Sequence, residues 1–320
     1  MNEEKKINVA AVVGPTASGK TRLGVSLALA LGGEVISADS MQIYEGLDIA
    51  SAKPTVQEMR GVPHHLIGII PRSESFSVAR YVELAREKIE QVSSRGRLPI
   101  IVGGTGLYVD SLLNNISFTE NEADAALRAE LFEKAQREGA QAVWNELLLV
   151  DPESANRIEP NNVKRVIRAI EVYRTTGITM TEQNRRSRLA PSPYCAVKIG
   201  LKTADRSVLY ERIGRRADEM LSMGLLEEAR DFLSDETVGE TASKAIGCKE
   251  LAPYFEGTQT LEEAMETMKR ETRRYAKRQL TWFLRDSSVR WYNSDEYGDF
   301  SEIEALAADY VSGRFGIPKV

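Results

Sequence analysis

Near its start the chain reads Val9-Ala10-Ala11-Val12-Val13-Gly14-Pro15-Thr16-Ala17-Ser18-Gly19-Lys20-Thr21. The apolar first part predicts a buried strand, and the last eight residues match the phosphate-loop pattern G-x-x-x-x-G-K-[ST]. A helix-forming run follows, from Gly19 to Leu31. In that context, backbone N–H groups at the start of the helix would cradle a diphosphate, Lys20 would neutralise its charge, and Thr21 would hold a Mg²⁺ ion. The pattern indicates a phosphorylated small molecule and does not by itself specify ATP.

Strands and helices alternate on either side of this motif. Further strands are predicted at 34–39, 99–103, 195–201 and 289–292, with helices at 77–95, 205–233 and 260–285. This alternation predicts a doubly wound α/β fold, a P-loop parallel sheet whose site lies at the carboxyl ends of the strands.

The chain between residues 116 and 191 has a different pattern. It shows no strand signal, and charged helical runs are predicted at 123–138, 141–149 and 161–175. We therefore expect an all-helical insertion domain at 116–191 within a catalytic core formed by 1–115 and 192–320.

Composition narrows the class of protein. Of the 320 residues, 42 % are hydrophobic and 28 % are charged, as in ordinary globular proteins. Mean hydropathy is −0.31, no apolar run is long enough for a membrane span, and the N-terminal residues show no signal peptide. We expect a cytoplasmic protein that does not bind membranes. Because the net charge is −5, a nucleic-acid site would need local basic clusters.

Two residues could carry chemistry beside the phosphate loop. Asp39 ends the second predicted strand and could be a general base or a Mg²⁺ ligand, although an acid at this position is also a common cap. Thr105 lies in the glycine-rich run Gly103-Gly104-Thr105-Gly106 after the next strand. It could bond the leaving group or the nucleophile, or bond only locally. This strand end has no acid, which argues against a motor ATPase.

Two basic stretches could contact RNA. One includes Lys164, Arg165, Arg168 and Arg174, and the other, at 269–285, has aromatic residues among its cations. Cations with stacking aromatics suit a flexible RNA with splayed bases. A charged helix can also be simply a solvated face.

With these residues identified, the chain resembles the tRNA dimethylallyltransferases, the bacterial tRNA isopentenyltransferase family. The matching segments span nearly the whole chain in order, at 14–21, 36–44, 52–55, 62–66, 101–108, 244–247 and 273–283. The resemblance implies transfer of a dimethylallyl group from dimethylallyl diphosphate to N6 of the adenosine 3′-adjacent to the anticodon in tRNAs, with release of diphosphate.

The resemblance also implies roles for residues of this chain. Asp39 would be the general base, Thr105 would lie near the leaving group, and residues 14–21 would hold the diphosphate with Mg²⁺. Arg212 or Arg216 would stabilise the leaving diphosphate, unless they only pair with nearby glutamates. The implied contacts with the anticodon stem-loop are Asp39, Ser40, Met41, Gln42, Thr105, Arg128, Lys164, Arg165, Arg168, Lys244, Arg274, Lys277, Arg278 and Arg285. We expect a monomer.

Other classes of protein would share parts of this pattern. A small-molecule kinase would bind ATP tightly and would not need an arginine-rich face. A prenyltransferase for free adenine nucleotides would need less of the helical insertion and of the basic C-terminal helix. An RNA-binding module without catalysis would not need a diphosphate cradle near Asp39.

Overall fold

The phosphate-loop strand lies inside a six-stranded parallel sheet in the computed structural model, which describes residues 6–118 and 124–320. The strand order is β3-β2-β4-β1-β5-β6. The strands are β1 (Ile7–Val13), β2 (Gly33–Ser37), β3 (His64–His65), β4 (Leu98–Gly103), β5 (Tyr194–Lys202) and β6 (Val289–Asn293). The predicted α/β fold with a parallel sheet is confirmed.

Both faces of the sheet are covered by helices. Successive residues of β1 alternate between two cores, with Val9, Ala11 and Val13 in one and Ala10 and Val12 in the other, as a pleated strand requires. The second core is closed by α1 (Lys20–Leu31) and α14 (Phe300–Phe315). The first core is covered by α3 (Val78–Ser94), α4 (Gly106–Leu113), α10 (Arg206–Ser222), α11 (Leu225–Ser234) and α13 (Leu261–Phe283). Two short helices, α2 (Val56–Met59) and α12 (Ala252–Phe255), complete the set of α-helices outside residues 114–192.

The chain divides into two compact units, Met1–Leu113 with Pro193–Val320, and Asn114–Ser192. Helices are the only regular secondary structure among the described residues of the second unit. Its helices are α5 (Ala125–Glu138), α6 (Ala140–Val150), α7 (Pro152–Arg157), α8 (Val163–Thr176) and α9 (Met180–Arg186). They enclose a small core of their own that includes Leu131, Leu147 and Ile170.

Several boundaries differ from the sequence expectation. The predicted helix 205–233 is two helices, because Gly224 has a φ of 104° and ends the run between α10 and α11. The second strand ends at Ser37, so Asp39 lies just beyond it. Helices α2, α4, α7, α9, α12 and α14 and the two-residue strand β3 were not predicted. Residues 1–5, considered for a signal peptide, and residue 123, the expected start of a helix, lie outside the described residues. Within the described ranges, no helix has the length and apolar character to cross a membrane.

Candidate active site

A cavity of about 550 Å³ lies beside the phosphate loop, within the unit that contains the sheet. The loop and the segment after β2 form one side of it, and helices α10 and α13 form another. The polar and charged residues in its lining include Thr16, Lys20, Thr21, Asp39, Ser40, Gln42, Arg216, Lys244, Tyr275 and Arg278. Apolar residues also line it, namely Ile213, Ala217, Met220, Ala245, Ile246 and Met268. The sequence-predicted diphosphate site and part of the predicted tRNA surface therefore share one cavity.

The phosphate loop has a conformation that depends on its glycines. Gly14 has a φ of 143°, and a Cβ there would lie 2.3 Å from the backbone oxygen of Leu201. Gly19 has a φ of 92° and is the residue before α1, which begins at Lys20. The Lys20 ammonium donates a hydrogen bond to the backbone oxygen of Pro15, at 2.6 Å. The loop thus curls around the start of the helix, the geometry in which backbone N–H groups and the helix dipole attract anions.

Three charged groups dominate the electrostatics of the cavity. Burial lowers the pKa of Lys20 to about 8, the Asp39 carboxylate opposes that shift, and the Arg216 guanidinium adds to it. Burial also lowers the pKa of Arg216, against the effect of Glu58, Asp39 and Glu219. Two partly desolvated cations therefore face a single carboxylate in the cavity. Such a site is stabilised when an anionic ligand enters.

Asp39 caps a turn and also lines the cavity. Its Oδ1 accepts the backbone N–H groups of Met41 and Gln42, at 2.9 and 3.3 Å, so the side chain caps the turn after β2. The same residue lines the cavity with Lys20 and Thr21. The turn therefore fixes one oxygen of a carboxylate that lines the cavity.

Thr105 lies behind the cavity lining. Its hydroxyl accepts the backbone N–H of Ser40 at 3.1 Å, and it also interacts with the Tyr275 hydroxyl. The preceding glycines permit close packing, since a Cβ on Gly103 would lie 2.1 Å from the backbone oxygen of Ala38. Thr105 thus joins the segment after β2 to helix α13, and local bonding accounts for its hydroxyl in this state.

The two arginine candidates for the diphosphate differ in position. Arg216 lines the cavity and donates a long hydrogen bond, 3.5 Å, to the backbone oxygen of Ala52. Arg212 does not line the cavity, and its guanidinium donates to the Ser294 hydroxyl at 2.7 Å. The structure thus favours Arg216 over Arg212 as the arginine that reaches the diphosphate.

The basic residues of α13 are arranged around the cavity mouth and the surface beyond it. Arg278 lines the cavity, with its guanidinium 5.7 Å from the centre of the Tyr275 ring. Arg274 is exposed and pairs with Glu271 at 2.6 Å, and Lys277 is exposed; Arg285, two residues beyond the end of α13, is exposed as well. Lys244, from another segment, also lines the cavity.

In the helical unit, two of the predicted RNA-binding arginines have a structural partner. Glu171 is fully buried and accepts two hydrogen bonds from Arg128, at 2.9 and 3.0 Å, and one from Arg168, at 2.7 Å. These guanidiniums hold the pKa of the Glu171 carboxyl low, against the effect of burial. Arg165 and Lys164 are exposed on the same helix, α8.

Sequence reasoning missed Gln279 and Glu228. Gln279 is buried on α13 and bonds to the phosphate loop. Its position four residues after Tyr275 places both on one helix face, a spacing that could have drawn attention to it. Glu228 on α11 accepts the backbone N–H groups of three consecutive residues, 48–50, at 2.8–2.9 Å. It holds the segment whose residues Ala50–Ala52 line the cavity, and its local sequence gives no sign of this.

Comparison with known proteins agrees with this geometry. Residues 42–286 match the model of the IPP transferase family. The chain is 48 % identical over 310 residues to the tRNA dimethylallyltransferase of Halalkalibacterium halodurans, covering 97 % of this chain and 98 % of that protein. It is 50 % identical over 315 residues to the tRNA dimethylallyltransferase of Bacillus subtilis strain 168, covering 98 % and 99 %.

Solved structures of a tRNA isopentenylpyrophosphate transferase and a dimethylallyltransferase are also similar to this chain. The full-length tRNA isopentenylpyrophosphate transferase of Bacillus halodurans matches with a TM-score of 0.72 and 45 % identity, covering 97 % of both chains. A eukaryotic dimethylallyltransferase, captured acting on tRNA, matches with a TM-score of 0.81 and 28 % identity, covering 96 % of this chain and 80 % of that one.

Proposed function

The chain belongs to the IPP transferase family, and from that premise we propose that it is a tRNA dimethylallyltransferase. It transfers the dimethylallyl group from dimethylallyl diphosphate to N6 of the adenosine 3′-adjacent to the anticodon and releases diphosphate. The observation that carries this proposal is the cavity in which Lys20, Asp39 and Arg216 meet beside an apolar wall. A charged cradle next to apolar side chains suits a ligand with a diphosphate at one end and a hydrocarbon at the other.

The donor diphosphate would lie on the phosphate loop. Lys20, Arg216 and the backbone N–H groups of the loop would stabilise the charge that develops as the carbon–oxygen bond breaks. The Thr21 hydroxyl is an oxygen donor in the cavity lining, and it fits Mg²⁺, which is bound through few protein ligands together with substrate phosphates. When bound, Mg²⁺ would neutralise part of the diphosphate charge. The apolar residues of α10 and α13 would enclose the five-carbon group.

Asp39 would act as the general base. The lone pair of the adenine N6 is delocalised into the ring, so removal of its proton during attack assists the new carbon–nitrogen bond. That bond forms as the carbon–oxygen bond breaks, the proton passes to Asp39, and the electron pair leaves with the diphosphate. Oδ1 is engaged by the turn, and Oδ2 accepts the proton. Because the target base is stacked in RNA, it must be turned out into the cavity.

The tRNA contacts would come from both units. In the sheet unit we propose Ser40–Gln42, Lys244 and Arg278 for the reacting nucleotide, and Arg274, Lys277 and Arg285 for phosphates. Thr105 would act through Ser40, which it bonds. In the helical unit, Lys164 and Arg165 are exposed, whereas Arg128 and Arg168 bond Glu171 and would act mainly by shaping the unit. The reaction would take place in the cytoplasm with the protein as a monomer.

Transfer of label to RNA tests the proposal. Purified protein with Mg²⁺ and radiolabelled dimethylallyl diphosphate should modify total tRNA that lacks the modification, and should leave AMP unmodified. The position of the label is read by nuclease digestion and mass spectrometry of the nucleosides. Transfer to AMP alone would favour a prenyltransferase for free nucleotides, and γ-phosphate transfer from ATP would favour a kinase.

A further inference from the structure

We propose that Gln279 is a positioning residue, which holds the phosphate loop in its anion-binding form through a single side-chain amide. Its carbonyl oxygen, Oε1, accepts the backbone N–H of Thr16 at 2.8 Å. Its amide nitrogen, Nε2, donates to the backbone oxygen of Gly104 at 3.0 Å. One side chain therefore ties the loop after β1 to the turn after β4.

The contact depends on a close approach at Gly104. A Cβ added to Gly104 would lie 2.0 Å from Nε2 of Gln279, so any other residue there would displace the amide. Gln279 itself is only 5 % exposed. Gln279 and Thr16 both line the cavity, whereas the bond to Gly104 is buried. Loss of the amide therefore leaves the buried Gly104 carbonyl without this donor and releases the Thr16 N–H from its protein partner. The loop would then be free to leave the conformation in which its other N–H groups converge on a diphosphate.

A neutral amide satisfies both partners at once. Thr16 offers a donor and Gly104 an acceptor, so the bridging group must accept at one end and donate at the other. Methionine has similar length and neither function. An ionised glutamate can accept from Thr16 but cannot donate to Gly104, whereas a protonated glutamate can do both. The hydrogen-bonding abilities of these replacements differ although their sizes are similar. Comparing them therefore tests whether Gln279 acts through its hydrogen bonds or only by filling space.

The same turn of α13 also reaches the acceptor side of the cavity. Tyr275 lies one turn before Gln279, lines the cavity, and has its hydroxyl in contact with both Thr105 and Gln279. Arg278 lies next to Gln279 and covers the Tyr275 ring. The donor loop is thus held by the helix turn that also forms the wall proposed to receive the RNA.

The first experiment measures binding of inorganic diphosphate with Mg²⁺ by calorimetry, which does not rest on the proposed function. For Gln279→Met we expect a loss of affinity of about tenfold or more, on the order of the loss of one or two hydrogen bonds in a buried site. Thr281→Val is the matched control, since it removes a side-chain hydrogen bond from the same helix, to Lys277, away from the loop. Its affinity should equal that of the native protein. Unchanged affinity in Gln279→Met would overturn the proposal.

The second experiment uses Gln279→Glu between pH 5 and 8. The ratio of its diphosphate affinity to that of the native protein should rise as pH falls, because protonation restores the donor to Gly104 and removes a negative charge beside the loop. The Gln279→Met variant separates these two effects, since it lacks both bonds and adds no charge. The charged and titratable groups around this position are Lys20, Asp39, Arg216, Tyr275 and Arg278. They are common to both proteins, so their own titration affects the two affinities similarly. A ratio that does not change with pH, whether high or low, would contradict the bonding role.

A third measurement covers the case in which the methionine variant does not fold. In the native, ligand-free protein the amide hydrogen of Thr16 should exchange slowly. In folded Gln279→Glu at pH 8, this slow exchange should be largely kept while diphosphate affinity is lost, because an ionised glutamate can still accept from the Thr16 N–H. Fast exchange at Thr16 in the native protein would overturn the proposal.

If the native protein binds diphosphate but does not prenylate tRNA, the proposed function fails while these results still decide the role of Gln279. If prenylation is observed, Gln279→Met should raise the KM for dimethylallyl diphosphate more than that for tRNA.

Discussion

Replacement of Asp39 by asparagine tests the proposed base with little change of shape. The Oδ1 atom accepts two backbone N–H groups, from Met41 and Gln42. An asparagine oxygen can accept the same bonds, so the turn after β2 should be retained. The amide nitrogen that takes the place of Oδ2 cannot accept a proton. The substitution therefore removes basicity and leaves the local structure in place.

The expected size of the effect follows from the role. Loss of a general base slows the chemical step by about 10²–10⁴-fold, or about 3–5 kcal/mol in activation free energy. Asp39 also raises the pKa of Lys20, which is about 8, so Lys20 in the variant should lose its proton at lower pH than in the native protein. In the native protein at pH 6.5, a group with a pKa of about 8 is about 97 % protonated. In the variant the bound diphosphate, an anion beside Lys20, favours the charged form of the lysine, so with saturating donor the loss should appear in the chemical step.

The assay is single-turnover transfer at pH 6.5, with dimethylallyl diphosphate and tRNA both saturating. Asp309→Asn is the control, because it makes the same charge change at an exposed carboxylate on α14, outside the cavity lining. We expect its rate to be native. A near-native rate for Asp39→Asn would refute the assignment of Asp39 as the base. If Asp39 served only to hold Mg²⁺, the main changes would be in donor affinity and in the Mg²⁺ concentration required.

Three further predictions concern the groups around the cavity. Because burial lowers the pKa of Lys20 to about 8, affinity for dimethylallyl diphosphate should be steady below pH 7 and fall above pH 8, by up to about tenfold per pH unit. Lys20→Ala should bind weakly without this pH dependence, as calorimetry would show. Glu228→Gln should lower stability by about 1–3 kcal/mol in chemical denaturation and raise the donor KM, because one of its carboxylate oxygens is replaced by a donor facing N–H groups. Glu227→Gln, on the same turn and exposed, should do neither, and equal effects in the two variants would contradict the role. Replacement of Arg274 and Lys277 by alanine should flatten the salt dependence of tRNA affinity by about 0.7 per lost phosphate contact, and an unchanged slope would place this face away from the RNA.

The sheet was predictable because its signals are local. The run Val9–Val13 is apolar at every position, which is the pattern of a strand buried on both faces, and the structure places its residues alternately in two cores. The strand His64–His65 has only two residues, too few for any periodicity to appear. The prediction of one helix over 205–233 was wrong at Gly224. The amphipathic pattern continues on both sides of this residue, so the pattern gave no sign of the left-handed conformation that separates α10 from α11.

The cavity was predictable only in part. Sequence indicated the phosphate loop and Asp39, since a parallel sheet brings the ends of neighbouring strands together. It could not choose between Arg212 and Arg216, because both lie on one helix and only their surroundings separate them. Arg216 meets the cavity, whereas Arg212 meets the Ser294 hydroxyl. Their proposed roles, like the other site assignments, stay predictions until they are measured.

Residues far apart in the chain explain what sequence reasoning missed. Gln279 is 263 residues from its partner Thr16, and Glu228 is about 180 residues from the segment it holds. The same principle applies to the basic residues of the helical unit. Arg128 and Arg168 look like RNA contacts in the sequence because nothing nearby marks Glu171 as buried. A buried carboxylate must be paired, since an isolated charge in the interior is strongly destabilising. Because two guanidiniums share one carboxylate, the cluster of Arg128, Arg168 and Glu171 has a net positive charge, carried by the partly exposed arginines. These arginines can therefore stabilise the unit and still attract phosphates, whereas replacing Glu171 would remove the carboxylate that ties Arg128 on α5 to Arg168 on α8.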